Sequence, residues 1–171
     1  MDILQLQSII LTKTYTKADY LKRVTFIREY LEGKFFKNQK LNFQQYLIEI
    51  NCPEYDKVAL SRLDDHFFNL FTKDNVYIMV NGLMESLKSL PVLTLYLAIP
   101  FDNNLVDSLG FWFRQNLNPE LIIDLRTNPA LVTGCAYVWN NKYHDLSLSF
   151  LLNQNEKIIE KIIESYGQSQ L

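Results

Sequence analysis

The chain has 171 residues, of which 48% are hydrophobic and 21% are charged, and its formal net charge is −2. This balance is that of an ordinary globular protein with enough apolar residues to build a core. Lysine and arginine are spread along the chain, which argues against a dedicated nucleic-acid surface, because such a surface usually needs a basic patch. Cys52 and Cys135 are too few for a disulfide framework, so free thiols are expected.

The sequence predicts neither a membrane span nor a signal peptide. The longest apolar run, Val92 to Ile99, is far shorter than the ~20 residues that a helix needs to cross a bilayer. The N-terminus, MDILQLQSII, has an acid where a signal peptide needs basic residues, and glutamine interrupts its apolar stretch. We therefore expect the protein to stay in the cytoplasm.

Residues 1–90 carry apolar side chains at helical spacing, and this pattern predicts five short helices. The first is marked by Ile3, Leu6 and Ile10. The second begins at Thr16, whose spacing to Asp19 is that of a capping box, and glycine 33 can end it. Each helix has one apolar stripe, so the helices must pack together to bury those stripes.

Three further helices follow the first two. Asn42 can cap the third, and Pro53 suits the first turn of a fourth that extends to Phe71. The fifth helix runs from Val76 to Leu90.

The apolar period changes from 3.6 to 2 at Pro91, and Leu93 to Ile99 is predicted to form a strand. Asp102 can cap the helix that follows, whose predicted inward face consists of Leu105, Leu109, Trp112, Phe113 and Leu117. We place a domain boundary at Pro91, with a helical bundle domain over residues 1–90 and a small α/β domain over residues 91–171.

The last third of the chain predicts a strand, a break, a hairpin and a helix. Leu121 to Arg126 alternates as a strand does, and Asn128-Pro129 interrupts it because proline lacks a ladder donor. Asn140-Asn141 then supplies the two positive-φ residues of a tight hairpin turn. The final helix is predicted from Ser147 to Tyr166. The predicted fold class is therefore α+β, with an antiparallel helical bundle followed by a small α/β domain that has a β-hairpin and a long C-terminal helix.

This last third also resembles a known family. The run from Asn128 to Gly134, NPALVTG, is followed by a short strand and then by Asp145-Leu146-Ser147. This resembles the C-terminal signature of the delta subunits of F-type ATP synthases, in which Asp-Pro-x-Leu-Ile-Gly-Gly leads into a hairpin and Asp-x-Ser begins the last helix. The matching positions are Pro129, Leu131, Gly134, Asp145 and Ser147, and the departures are Asn128 for Asp, Val132 for Ile and Thr133 for Gly.

The resemblance covers about Val92 to Leu171 and implies the family's two-domain division and non-catalytic role. In that family the protein is a peripheral-stalk, or stator, subunit of the enzyme that couples proton transport to ATP synthesis. Its helical domain binds the N-terminal helix of an α subunit, and its C-terminal domain binds the C-terminal region of the membrane-anchored b subunits. The protein is then held at the inner face of the cell membrane through the complex, with no direct membrane insertion.

The family's pattern also indicates which residues contact each partner. The α-binding groove is expected between the first and fifth helices, with the candidates Ile3, Leu6, Ile10, Met79, Leu83 and Leu87. The b-binding surface is expected on the hairpin and the last helix, with the candidates Tyr137, Trp139, Ile158 and Ile162.

No residue pattern predicts a catalytic, cofactor-binding or metal-binding site. His144, Asp145 and Ser147 have the types of a catalytic triad, but neighbouring strand residues point to opposite faces, so Asp145 and Ser147 are interpreted as helix caps. Asp64 to His66 lie on a helix where consecutive residues do not share a face. Cys135 and the two tryptophans, Trp112 and Trp139, are interpreted as core residues.

Two alternatives stay open. The first is a general protein-interaction or nucleic-acid-binding adaptor module built on the same two halves. The second is a small hydrolase that uses Cys135 or Ser147. The last helix itself fits either a partner surface, as in a coiled coil, or a helix packed on its own sheet.

Overall fold

The computed structural model describes residues 3–161, and its first part is helical as predicted. The helices are α1 (Ile3–Leu11), α2 (Lys17–Phe36), α3 (Phe43–Glu49), α4 (Glu54–Leu60), α5 (Asp65–Phe68) and α6 (Val76–Ser86), followed by a 3₁₀ turn at Leu87–Ser89. Four later helices or turns and four strands make the α+β class of the prediction correct for the described residues.

Side-chain caps begin several helices, as the sequence predicted. Thr16 Oγ1 accepts a hydrogen bond of 3.0 Å from the backbone N–H of Asp19 at the start of α2. Asn42 and Gln45 form a complete capping box at α3. These bonds satisfy backbone donors that have no partner within the helix.

Two predicted helix boundaries are wrong. Helix α2 continues through Gly33 to Phe36, and the side chain of Gln39 occupies the space where a Cβ at position 33 would lie, so the glycine permits a close approach instead of ending the helix. The predicted fourth helix divides into α4 and α5, because Asp64 caps a new helix by accepting from the N–H of Phe67 at 3.0 Å.

Aromatic rings fill the centre of the helical core. Tyr30 packs edge-on against Phe43 and Phe68, with ring centroids 5.1 and 4.9 Å apart. The core also encloses the carboxylate of Asp56, whose Oδ1 lies 3.0 Å from Arg23 Nε and whose Oδ2 lies 2.6 Å from Nζ of the half-exposed Lys22. Side chains separated by tens of residues in sequence are thus brought together between α2, α3, α4 and α5.

A four-stranded mixed sheet follows the helices within the described part of the chain. Its strands are β1 (Val92–Leu97), β2 (Ile122–Thr127), β3 (Gly134–Trp139) and β4 (Lys142–Ser147), in the order β2-β1-β3-β4. β1 is antiparallel to β3, and β3 is antiparallel to β4. β1 and β2 run parallel, because hydrogen bonds join Ile122 to Pro91 and Asn128 to Leu97 in the same direction.

The predicted hairpin is confirmed. Asn140 and Asn141 have φ angles of 50° and 60°, the left-handed conformation that a two-residue turn requires. Asn128-Pro129 ends β2 as predicted, and the chain makes a 3₁₀ turn at Pro129–Leu131.

The last helix is not continuous. Helix α8 (Leu148–Gln154) ends at Asn155, and residues 156–161 are again helical. The rest of the predicted helix, including Tyr166, lies outside the described residues.

The helix after β1, α7 (Asn103–Asn116), is capped by Asp102 as predicted, but its predicted inward face is only partly right, because Leu109 and Phe113 alone of the five predicted residues are half-buried. Val106 and Gly110 are its buried residues, whereas Leu105, Trp112 and Leu117 are exposed. A Cβ at position 110 would lie 2.4 Å from the Cβ of Tyr15, so the missing side chain lets this face of α7 pack closely. The interpretation of Trp112 as a core residue is therefore also wrong, while Trp139 and Cys135 are half-buried in β3.

The chain divides into two compact units. The first comprises the described residues up to Val92 together with Asp102–Ile123, and the second comprises Leu93–Phe101 together with the described residues from Asp124 onward. Helix α7 thus belongs to the helical unit. The functional domain boundary at Pro91 remains a prediction.

Candidate partner-binding surfaces

The first predicted surface lies where α1 packs on α6. Among its six candidates, four are buried in the core and two are half-buried against it: Leu6, Ile10, Leu83 and Leu87, then Ile3 and Met79. The two helices can approach closely because Gly82 has no side chain. A Cβ at this position would lie 2.4 Å from Cδ1 of Ile3. In this chain the two stripes hold α1 and α6 together, and their contact with a partner remains a prediction.

Exposed apolar side chains on the same two helices were not among the predicted residues. Leu4 on α1 is 62% exposed, and Ile78 on α6, the neighbour of Met79, is 70% exposed. Tyr77 is also exposed and stacks on Phe36 with the ring centroids 5.6 Å apart. The only sequence signal for these residues is that each is apolar yet falls outside the stripe that faces the core.

The hairpin presents an aromatic face in the second unit. Tyr137 and Trp139 are two residues apart on β3, so they lie on the same side of the sheet. Tyr137 is paired with His144 on β4, and their rings stack with centroids 4.7 Å apart. Both predicted hairpin residues are half-buried, which leaves part of each ring accessible.

None of the residues of helix α8 is buried. Its exposed apolar side chains are Leu148, Phe150, Leu151 and Leu152. Ile158, a predicted contact residue, follows in the next helical segment and is 58% exposed. Ile162, the last predicted contact residue, lies outside the described residues.

Residues of the sequence motif converge at the start of α8. Gly134 on β3 is paired with Ser147 on β4, and its φ of +87° favours glycine. Ser147 is buried and its Oγ accepts from the N–H of Phe150 at 3.2 Å, which confirms its predicted capping role. Asp145 Oδ1 accepts from the N–H of Ser147 at 2.9 Å.

The hydrogen bonds to Ser147 also lower the pKa of Asp145. Hydrogen bonding to the side chain and backbone of Ser147 holds the pKa of the Asp145 carboxyl below its usual range. Of the three triad-type residues, Asp145 accepts from the N–H of Ser147, whereas the ring of His144 stacks on Tyr137. Their arrangement holds the hairpin and the first turn of α8.

The turn before β3 is strained. Val132 has φ 64° and ψ −59°, an unfavourable region for a β-branched residue, and the N–H of Thr133 donates to the carbonyl of Leu131 at 2.7 Å across it. The carbonyl of Thr133 in turn accepts from the N–H of Leu148 at 3.1 Å. The strained turn is thus bonded directly to α8, while the side chain of Val132 is 70% exposed.

Comparison with known proteins agrees with the motif. The chain is similar to the ATP synthase subunit delta of Dichelobacter nodosus (strain VCS1703A), with 22% identity over 143 residues. The matched region covers 79% of this chain and 75% of that protein. No family model matches the chain.

Residues 3–161 contain neither a candidate metal centre nor a candidate membrane-spanning helix. Over residues 3–161, no group of three or more His, Cys, Asp or Glu side chains is placed to hold a metal ion. In the same range, no helix is long and apolar enough to cross a membrane. Asp64, Asp65 and His66 are exposed, and Asp64 caps α5.

Proposed function

We propose that this chain is a non-catalytic peripheral-stalk subunit of an F-type ATP synthase, where it links the catalytic head to the membrane-anchored b subunits. The observation that carries the proposal is the similarity to a delta subunit over most of both chains. The motif supports it, because Gly134, Asp145 and Ser147 act together at the start of α8. In this role the protein is attached to the inner face of the membrane through the complex.

The helical unit is proposed to bind the N-terminal helix of the α subunit. An amphipathic helix binds well in an apolar groove, because burial releases roughly 25 cal/mol for each Å² of apolar surface, less the cost of ordering the peptide. The proposed site is the packed pair of α1 and α6, on which the exposed residues Leu4 and Ile78 offer apolar surface to a partner.

The second unit is proposed to bind the C-terminal region of the b subunits. Monomeric proteins rarely leave a whole helix of apolar side chains in water, and larger exposed patches usually mark protein-protein contacts. Helix α8 and Ile158 form such a surface, with the aromatic face of the hairpin in the same unit. Binding two partners at once also increases the overall affinity of each.

The proposal is tested with the full-length chain, purified α subunit, purified soluble b subunit and two matched variants. Ile158→Glu and Ile78→Glu each place a charge at an exposed isoleucine, one in each unit, so the fold should tolerate both. We expect Ile158→Glu to weaken b binding by about tenfold or more and to leave α binding unchanged, with the reverse for Ile78→Glu, since burying an unpaired charge at an interface is unfavourable.

Each variant is the control for the other, and circular dichroism checks that both are folded. If the unmodified chain binds neither subunit in calorimetry, the stator role is wrong. If it binds both but the two variants behave alike, the role stands and the assignment of the two surfaces is wrong.

A further inference from the structure

The first compact unit contains a cleft of about 400 Å³ beside α1. Its lining comes from one side of α1, from the end of the 3₁₀ turn after α6 and from the segment that follows α7: Leu4, Gln7, Ser8, Leu11, Thr12, Ser89, Leu90, Arg114, Pro119 and Glu120. This volume is within the range of sites that bind small molecules. The lining combines apolar side chains with a few polar groups, as such sites usually do.

Gln7 places an unused hydrogen-bond donor in this lining. The residue is only 4% exposed, and its Nε2 has no hydrogen-bond partner among residues 3–161. A buried donor without an acceptor is unfavourable, and most such groups in proteins are paired. A ligand that brought an oxygen acceptor into the cleft would remove this penalty.

Arg114 adds positive charge to the same cleft. Its guanidinium donates to the backbone carbonyls of Leu11, Thr14 and Leu121, the last at 2.9 Å, and stacks on Tyr15. Within the described part of the chain no carboxylate forms an ion pair with it. A guanidinium has five N–H donors, so two remain for another acceptor.

Gln7 and Arg114 line the same cleft and are both associated with α1. Gln7 and Leu11 are four residues apart on α1, which is about one helical turn, or ~5.4 Å along the axis. Since Arg114 donates to the carbonyl of Leu11, its guanidinium is held at a position about one turn along α1 from residue 7, and both residues line the cleft. Desolvation also lowers the pKa of Arg114, as expected for a cation that lacks a counter-charge.

We propose that this cleft binds a small aliphatic carboxylate. The carboxylate accepts hydrogen bonds from Gln7 Nε2 and from the Arg114 guanidinium, and the hydrocarbon part lies against Leu4, Leu11 and Leu90. A charged acceptor is favoured over a neutral one because hydrogen bonds from a guanidinium to a carboxylate are about twice as strong as neutral ones. Glu120 is exposed and opposes the ligand's charge. The proposal does not depend on the stator role.

Octanoate is the probe, and octylamine and octanol of the same chain length are the comparison ligands. In calorimetry and in ¹H–¹⁵N spectra of the full chain, we expect octanoate to bind at least tenfold more tightly than either comparison ligand and to shift the Gln7 side-chain amide resonances. Gln7→Met keeps the side-chain length but removes the donor, so it should weaken octanoate binding by about tenfold or more. Glu120→Gln should tighten it.

Gln115→Met is the matched control, because Gln115 is exposed on α7 and does not line the cleft. It should leave octanoate binding unchanged. Thermal unfolding separates a binding effect from misfolding: Gln7→Met should unfold at the same or a higher temperature than the unmodified chain, because it removes a buried unpaired amide. The proposal is overturned if octanoate does not bind, if octanol or octylamine binds equally well, or if Gln7→Met binds octanoate as tightly as Gln115→Met does.

Discussion

The buried ion pair between Arg23 and Asp56 makes the stability of the helical unit depend on one carboxylate. Both residues are at most 1% exposed, and Arg23 Nε lies 3.0 Å from Asp56 Oδ1. Arg23 also donates to Thr14 Oγ1 at 2.8 Å and to the carbonyl of Lys13, while its Nη2 already lacks a partner among the described residues. Asp56→Ala would therefore leave a buried guanidinium with no counter-charge.

Breaking a buried pair by removing one partner typically costs about 3–5 kcal/mol. Since small proteins have a free energy of unfolding of about 5–15 kcal/mol, Asp56→Ala should remove a third or more of the stability. The matched control is Glu32→Ala, which breaks the Arg28–Glu32 pair at 2.8 Å; Arg28 is 51% exposed, and exposed helix pairs contribute only about 0.3–0.5 kcal/mol.

Urea unfolding followed by circular dichroism measures both losses, and the slope of the free energy against urea should stay constant. The double variant Arg23→Met/Asp56→Leu should recover most of the loss, because apolar side chains often replace a buried pair without net cost. The reasoning is refuted if Asp56→Ala and Glu32→Ala lower the free energy of unfolding by similar amounts, or if the double variant is less stable than Asp56→Ala.

Three further predictions concern pH and the motif. Burial, together with the hydrogen bond to Asp107, raises the pKa of the Tyr55 hydroxyl above its usual value. The stability that this hydroxyl contributes is therefore complete below about pH 10 and is lost as the pH rises. Tyr55→Phe should reduce this alkaline loss of stability in urea titrations between about pH 9 and 11. Ser147→Ala removes the cap of α8 and should lower the free energy of unfolding by about 1 kcal/mol, whereas an unchanged urea midpoint would contradict the cap. Gly134→Ala should cost more than Ser147→Ala in the same assay, because its Cβ would lie 2.6 Å from the carbonyl oxygen of Leu146 at a positive φ; equal midpoints would contradict this.

Features set by neighbouring residues were predictable from the sequence. Thr16, Asn42 and Asp102 cap their helices as expected, because each cap depends on a backbone donor only three residues away. The Asn140-Asn141 turn is predictable for the same reason, since few residue types tolerate two consecutive positive φ angles.

Features that depend on residues distant in the sequence were not predictable from the sequence. The apolar pattern of α7 predicted that Trp112 faces inward, but the helix is turned so that Val106 and Gly110 face the core, and only the close packing of Gly110 on Tyr15 explains this orientation. The unpaired amide of Gln7 is hidden for the same reason, because a glutamine on a short helix gives no sign in the sequence that it will be buried.

In the candidate surface on the hairpin and α8, some residues hold the surface in place and others are accessible to a partner. Gly134, Asp145 and Ser147 fix the hairpin and the first turn of α8, and the capping side chain of Ser147 is fully buried. The apolar side chains that α8 then presents, such as Leu151 and Leu152, are about half exposed. Substitutions in the first group should therefore weaken partner binding only as far as they destabilise the fold, whereas substitutions in the second should weaken binding while leaving the free energy of unfolding nearly unchanged. Under the proposed function, these motif residues act without lying in the interface, because their role is to orient the helix that is proposed to bind the partner.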